Sequence, residues 1–127
     1  MTGYKSIYLD TAPIIYFLQR SDLYFDVISN FFQDAFDRNA ALKTSVITVE
    51  EFLVYPYQTG LPKLKQNFYL WLENAEIEIM PITPEIADAA AAIRGKFKAF
   101  KGMAVLLLAT FKSSDCGIFL TNDKQLL

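Results

Sequence analysis

Four short runs with strand character, separated by long stretches of helical period, restrict this chain to very few architectures. The runs are Ile7-Tyr8-Leu9, Ala41 to Ile47, Glu76 to Ile82 and Cys116 to Leu120. Hairpins need only a few connecting residues, whereas these connections are long enough for right-handed crossovers between parallel strands. The order strand, helices, strand, helices, strand, helices, strand therefore predicts an α/β fold, a three-layer α/β/α sandwich around a mostly parallel sheet. The 127 residues fit a single domain spanning 1–127. Because only a stub follows the last strand, a short C-terminal element is expected to be missing.

Each strand runs into polar residues and then a helix start. Asp10 and Thr11 follow the first strand, and Pro13 suits the first turn of a helix reaching Leu18. In the next segment Leu23, Val27, Phe31 and Ala35 fall four apart, and Ile28, Phe32 and Phe36 widen the apolar face. Thr48-Val49-Glu50-Glu51 has the form of a capping box, which accounts for Glu51 without any catalysis. Pro56 and Gly60 are expected to interrupt that helix, and a further one runs from Leu61 or Pro62 to Leu72. Pro81 marks the third strand as an edge or its own end. Thr83-Pro84 opens an alanine-rich helix, and Gly102 separates it from another over Ala104 to Phe111.

Composition narrows the chemistry. The chain has no histidine and one cysteine, Cys116. Ser-His-Asp and Cys-His catalysis, a histidine general base, the usual zinc sets and an internal disulfide are all excluded. Carboxylates, hydroxyls, amides and cations remain, and hard oxygen donors of this kind suit magnesium or manganese. Apolar residues make up 53% of the sequence, with 11 Phe and 7 Tyr, which suits a packed core with surplus for a partner surface. No run is long and apolar enough to span a bilayer and no signal peptide is recognisable, so a cytoplasmic, membrane-free protein is expected. The net charge is −2, yet Arg94, Lys96, Lys98, Lys101 and Lys112 lie in a stretch from Ala89 to Ser114 without an acid. Such a patch either meets phosphates or is simply a solvated helix end.

Asp10 and Asp123 both follow short apolar strands, so both should emerge at the carboxyl edge of the sheet, where open α/β sheets hold their ligands. Glu51, near the start of the helix after the second strand, can point to the same crevice. Three carboxylates brought together repel one another unless a cation neutralises them.

The segments Tyr8-Leu9-Asp10-Thr11, Ser45 to Pro56, Ile82 to Ala90, Leu107-Leu108-Ala109-Thr110 and Phe119 to Lys124 occur in an order and spacing that resembles the PIN-domain ribonucleases. Within them the chain looks like the toxins of VapBC-type toxin-antitoxin modules. The resemblance covers nearly the whole chain. It implies a magnesium-dependent endoribonuclease in which Asp10, Glu51 and Asp123 face the metal. Glu50 is left outside, since adjacent helical residues point apart. Thr121 and Asn122 would orient a water, a carboxylate or the scissile phosphate. In the family pattern a further aspartate opens the helix carrying Ala109-Thr110, and the corresponding residue here is Ala104. Alanine keeps the helix but cannot bind an ion. Three readings compete: an alanine introduced to abolish activity, a naturally degenerate domain, or a misplaced alignment with Asp115 as the substitute. The first fits best because the remaining site residues are intact.

The resemblance further implies an RNA substrate, a homodimer and a VapB-type antitoxin partner. Arg94, Lys96, Lys98 and Lys101 are the candidate phosphate contacts, and Leu23 to Phe36 with Tyr55-Pro56-Tyr57 the candidate protein contacts. The alternative is a non-catalytic PIN-like domain that binds RNA or protein. A phosphatase-like or structure-specific DNA nuclease is a second alternative on the same sheet-edge chemistry.

Overall fold

A computed structural model describes residues 5–99 and 102–122. β1 (Ser6–Leu9), α1 (Thr11–Leu18), α2 (Phe25–Asp37), β2 (Ala41–Ser45), α3 (Val46–Thr59) and α4 (Pro62–Asn74) make up the first part of the chain. β3 (Glu78–Met80), α5 (Pro84–Lys96), α6 (Met103–Ser113) and β4 (Ile118–Leu120) follow. The four strands form one sheet in the order β3-β2-β1-β4, and every pairing is parallel.

That order explains the layers. The chain steps outward from β1 to β2 to β3, so right-handed crossovers put α1 to α4 on one face of the sheet. It then returns past β1 to β4, reversing direction, and the same handedness sends α5 and α6 to the other face. Alternation along β1 matches: Ile7 and Leu9 join Ile14, Phe32, Phe52, Phe68 and Leu72 in the larger core. Within it Phe52 and Phe68 stack with centroids 4.2 Å apart. Tyr8 points to the opposite face, against Phe111 of α6 and Phe119 of β4. Ile86 and Ala90 of α5 pack on Val105 and Ala109 of α6, and small alanines let these helices lie close. Lys43, also on this face, donates from Nζ to the Ser114 carbonyl at 3.0 Å, satisfying an orphan acceptor at the end of α6.

Several boundaries differ from the sequence expectation. α3 starts at Val46 rather than after Thr48, so the capping box is not formed. The helix also continues through Pro56, ending a turn later at Gly60, whose φ of 65° suits glycine at a left-handed terminus. Pro56 lacks the N–H of an ordinary helical residue, but only the last helical turn follows it. β3 is shorter than predicted and lies at the edge, as Pro81 suggested. The stripe on α2 divides: Ile28, Phe32 and Ala35 are buried, whereas Leu23, just before the helix, and Val27 are 76% and 71% exposed. Gly102, with φ 59° and ψ −137°, sets the direction in which α6 begins. Among the described residues no helix is long and apolar enough to cross a membrane.

The Tyr8 and Ser45 hydroxyls are fully buried near each other, yet neither meets hydrogen-bond geometry with any partner among the described residues. Burial pushes the Tyr8 phenol up to about 12, nearby Asp10, Cys116 and Glu51 add to the rise, and Ser45 opposes it. The unfolded chain therefore releases this proton near pH 10 while the folded chain retains it, so stability falls as pH rises from 10 to 12. The loss is on the order of 2–3 kcal/mol. Tyr8→Phe should remove that part of the alkaline fall and leave neutral-pH stability equal or improved, because an orphan hydroxyl disappears. Urea unfolding of both proteins across this range checks it; superimposable pH profiles would contradict the assignment.

Candidate active site

Asp10 directly follows β1, the strand at which the chain reverses its direction across the sheet, and its N–H continues the ladder by donating to the Leu120 carbonyl at 3.0 Å. A crevice outside the carboxyl ends of the strands opens at such a reversal. Asp10 is the N-cap of α1, with Oδ1 accepting from the Thr11 N–H at 2.7 Å. Oδ2 accepts from the Thr121 hydroxyl, just beyond β4, at 2.6 Å. Capping and facing the crevice are thus compatible roles for one carboxylate. It is 6% exposed, and its environment is made of hydroxyl and amide donors.

The second carboxylate arrives from α3. Glu51 Oε1 accepts from the Thr11 hydroxyl at 2.5 Å, and that hydroxyl lies 3.3 Å from the buried Thr48 hydroxyl. Thr48 and Glu51, three residues apart on one helix face, both turn towards Thr11 instead of closing a cap. Thr11 therefore holds Asp10 with its backbone and Glu51 with its side chain. Glu50 is exposed. Thr44, on the neighbouring strand, fixes the backbone before the site by donating to the Leu9 carbonyl at 2.8 Å.

An open cleft of about 440 Å³ lies over these groups, lined by Asp10, Thr11, Ile15, Glu51, Met103 and Leu107 together with Ala12 and Asn122. Ala104 is buried in the first turn of α6, between the two residues of that helix lining the cleft. Asn122 reaches the lining and donates from Nδ2 to the Tyr16 hydroxyl at 2.7 Å. Asp115 lies beyond the far end of α6, about 16 Å of helix away from Ala104, which removes it as a substitute ligand. Arg94 and Lys96 are exposed in the last turn of α5, where they complement the helix dipole, and Lys98 is exposed just after it. Asp123 and Lys101 lie outside the described residues. The sequence marks Thr11 only as a polar residue after the first strand and gives no sign of its contact with Glu51. It gives no role to Tyr16 or Ile15.

The polar groups at the cleft present oxygen and amide donors, suited to a hard divalent ion and poorly suited to a soft one. Among the described residues no three acidic or cysteine side chains converge as a metal-binding group; Asp10 and Glu51 are the two carboxylates in the lining.

The model of a family described as PIN domain matches residues 7–127. The chain belongs to the PIN-domain family. This PIN domain shares its fold with a chain of VapBC2 from Rickettsia felis bound to a DNA fragment from their promoter. The TM-score is 0.70 at 13% identity, over 95% of this chain and 90% of that one. A chain of a toxin-antitoxin complex from Klebsiella pneumoniae aligns with a TM-score of 0.68 at 21% identity, over 93% of this chain and 88% of that one. No curated protein matches this chain in sequence.

Replacing Thr11 by Val should leave the Glu51 carboxylate and the Thr48 hydroxyl without their donor or acceptor. A loss of about 1–3 kcal/mol in chemical denaturation is expected, whereas Thr11→Ser, which keeps the hydroxyl, should retain most of the stability. Equal stability of the valine variant would show that Thr11 does not hold the two acids together.

Proposed function

We propose that this PIN domain is the toxin of a toxin-antitoxin pair, an endoribonuclease dependent on magnesium or manganese, whose catalysis is suspended in this chain by Ala104. The observation that carries the reading is the meeting of Asp10 and Glu51 through Thr11 where the strand order reverses. A cation bound between two such acids would offset their mutual repulsion, and their oxygens suit a hard divalent ion. Asp10 and Glu51, with Asp123, would hold the ion. When bound, a divalent ion supplies an activated water and stabilises charge on the departing oxygen of a phosphodiester.

The chain's own residues have separate tasks. Thr121 fixes the rotation of the Asp10 carboxylate, and Thr11 fixes that of Glu51. Asn122 presents an amide to the cleft from a position held by Tyr16. Arg94, Lys96, Lys98 and Lys101 lead from α5 into the helix that lines the cleft, and phosphates of the RNA meet them there. Ala104 keeps the first turn of α6 but removes one negative charge and one oxygen ligand.

The two toxin-antitoxin structures sharing this fold support a protein partner. A hollow of about 630 Å³ is lined by Gln19, Tyr55, Leu61, Pro62 and Leu64, with Lys63 and Asn67 at its polar side. Tyr55 and the neighbouring Tyr57 are 47% and 67% exposed, and an apolar segment of the antitoxin suits this surface. The exposed Leu23 and Val27 supply a second apolar surface, which we assign to a second copy of the chain.

Ala104→Asp should cleave single-stranded RNA in magnesium at least about 100-fold faster than the chain as it stands, with chelator abolishing the difference. Equal activity of the two would reject the role of position 104. An inactive Ala104→Asp that still binds RNA or protein would favour the non-catalytic reading. Analytical ultracentrifugation over a range of concentrations should show self-association, weakened by Val27→Asp. A monomer at every concentration would refute the dimer.

A further inference from the structure

The cleft has a feature that the metal chemistry does not use. Tyr16 on α1 and Tyr24 at the start of α2 are stacked, with centroids 4.6 Å apart and an interplanar angle of 29°. The Tyr16 hydroxyl accepts from Asn122, and Asn122 and Ile15, the neighbour of Tyr16, line the cleft. Tyr24 is 42% exposed although it belongs to this stack. Its backbone is fixed at the N-cap of α2, where its N–H donates to the Ser21 hydroxyl at 3.2 Å.

We propose that Tyr24, backed by Tyr16, is a stacking platform for one base of a single-stranded RNA whose adjoining phosphate lies in the cleft. This rests on the ribonuclease reading and names how the substrate is held. None of the described side chains lining the cleft is positively charged, and two are carboxylates. The cleft's described side chains therefore add no phosphate neutralisation of their own, and an attraction independent of a bound ion and of the cations after α5 needs a contact of another kind. An aromatic face serves every base, because each has a π-surface, and adds affinity without demanding a particular sequence. Tyr16 gives the platform its coupling to the site: one ring supports Tyr24, and its hydroxyl sets the amide of Asn122. Packing of α1 on α2 alone would explain two rings in contact. The hydrogen bond from the stack to a cleft-lining residue sets this pair apart from such packing.

The test uses the chain as it stands, in chelator so that RNA stays intact, with short single-stranded RNAs carrying 2-aminopurine at successive positions. At one position the fluorescence should be quenched on binding, and an abasic nucleotide there should weaken binding about five- to tenfold. Tyr24→Leu should lose both the quench and the discrimination, whereas Tyr24→Phe keeps both. In the Ala104→Asp background, Tyr24→Leu should raise KM about five- to tenfold with kcat unchanged. Should Tyr24→Leu fail to fold, the abasic scan on the unaltered chain and Tyr24→Phe still decide. Indifference to an abasic nucleotide at every position, or no RNA binding at all, overturns the platform. Ala104→Asp that cleaves normal and abasic RNA alike overturns it while leaving the ribonuclease reading standing. A Tyr24-dependent quench without any cleavage by Ala104→Asp upholds the platform and removes the ribonuclease.

Discussion

Handedness of the crossovers decides where this protein can have a site. Since β1 lies between β2 and β4, the chain leaves β1 towards one edge and later returns to its other side. With every crossover right-handed, the helices of the outward and return paths must lie on opposite faces. The connections diverge above the carboxyl end of β1, so the residue emerging there faces a crevice instead of a covering helix. That residue is Asp10. Its tie to Thr121 joins the first and last strands at the same place.

Neighbouring acids are ordinarily held by arginine or lysine. Among the described residues, hydroxyls and one backbone N–H do the positioning: the Thr11 N–H on Asp10 and its hydroxyl on Glu51, Thr48 behind Thr11, and Thr121 on the other side of Asp10. Hydroxyls orient a carboxylate without neutralising it, which leaves its charge for something else. A lysine in the place of Thr11 would stabilise the same pair and consume that charge. Ala104, buried in the first turn of α6, brings no charge to the cleft, and beside it α6 packs against α5 through Val105 and Ala109.

The sheet and its layers were legible in the sequence because strand runs and helical periods alternate at lengths that permit only crossovers. Asp10 was legible for the same reason, as a polar residue ending a buried strand. The contact of Glu51 with Thr11 was obscured by Thr48-x-x-Glu51, whose spacing fits a capping box as well as it fits two contacts to a residue on another helix. Only the register of α3, starting at Val46, separates the two. The division of α2 into Ile28, Phe32 and Ala35 inside and Val27 outside was hidden because the aromatic stripe is wider than the surface available to it. The Tyr16–Tyr24 stack had no sequence signal: the residues belong to different helices, and the turn geometry between those helices brings the rings together. The family resemblance marks Asn122 as a site residue, but its hydrogen bond to Tyr16 has no signal in the sequence.

Gly102 places a demand on this part of the chain that no contact reveals. A Cβ built there meets nothing within 4 Å, yet the φ of 59° with ψ of −137° lies where side-chain-bearing residues rarely settle. The cost of change is thus torsional and cannot be relieved by trimming a neighbour. A residue with a side chain placed there would have to be held in that torsional state or shift the start of α6. A helix can be rewritten along most of its length, but the angle at which it is launched hangs on the one residue that has no side chain to show for it.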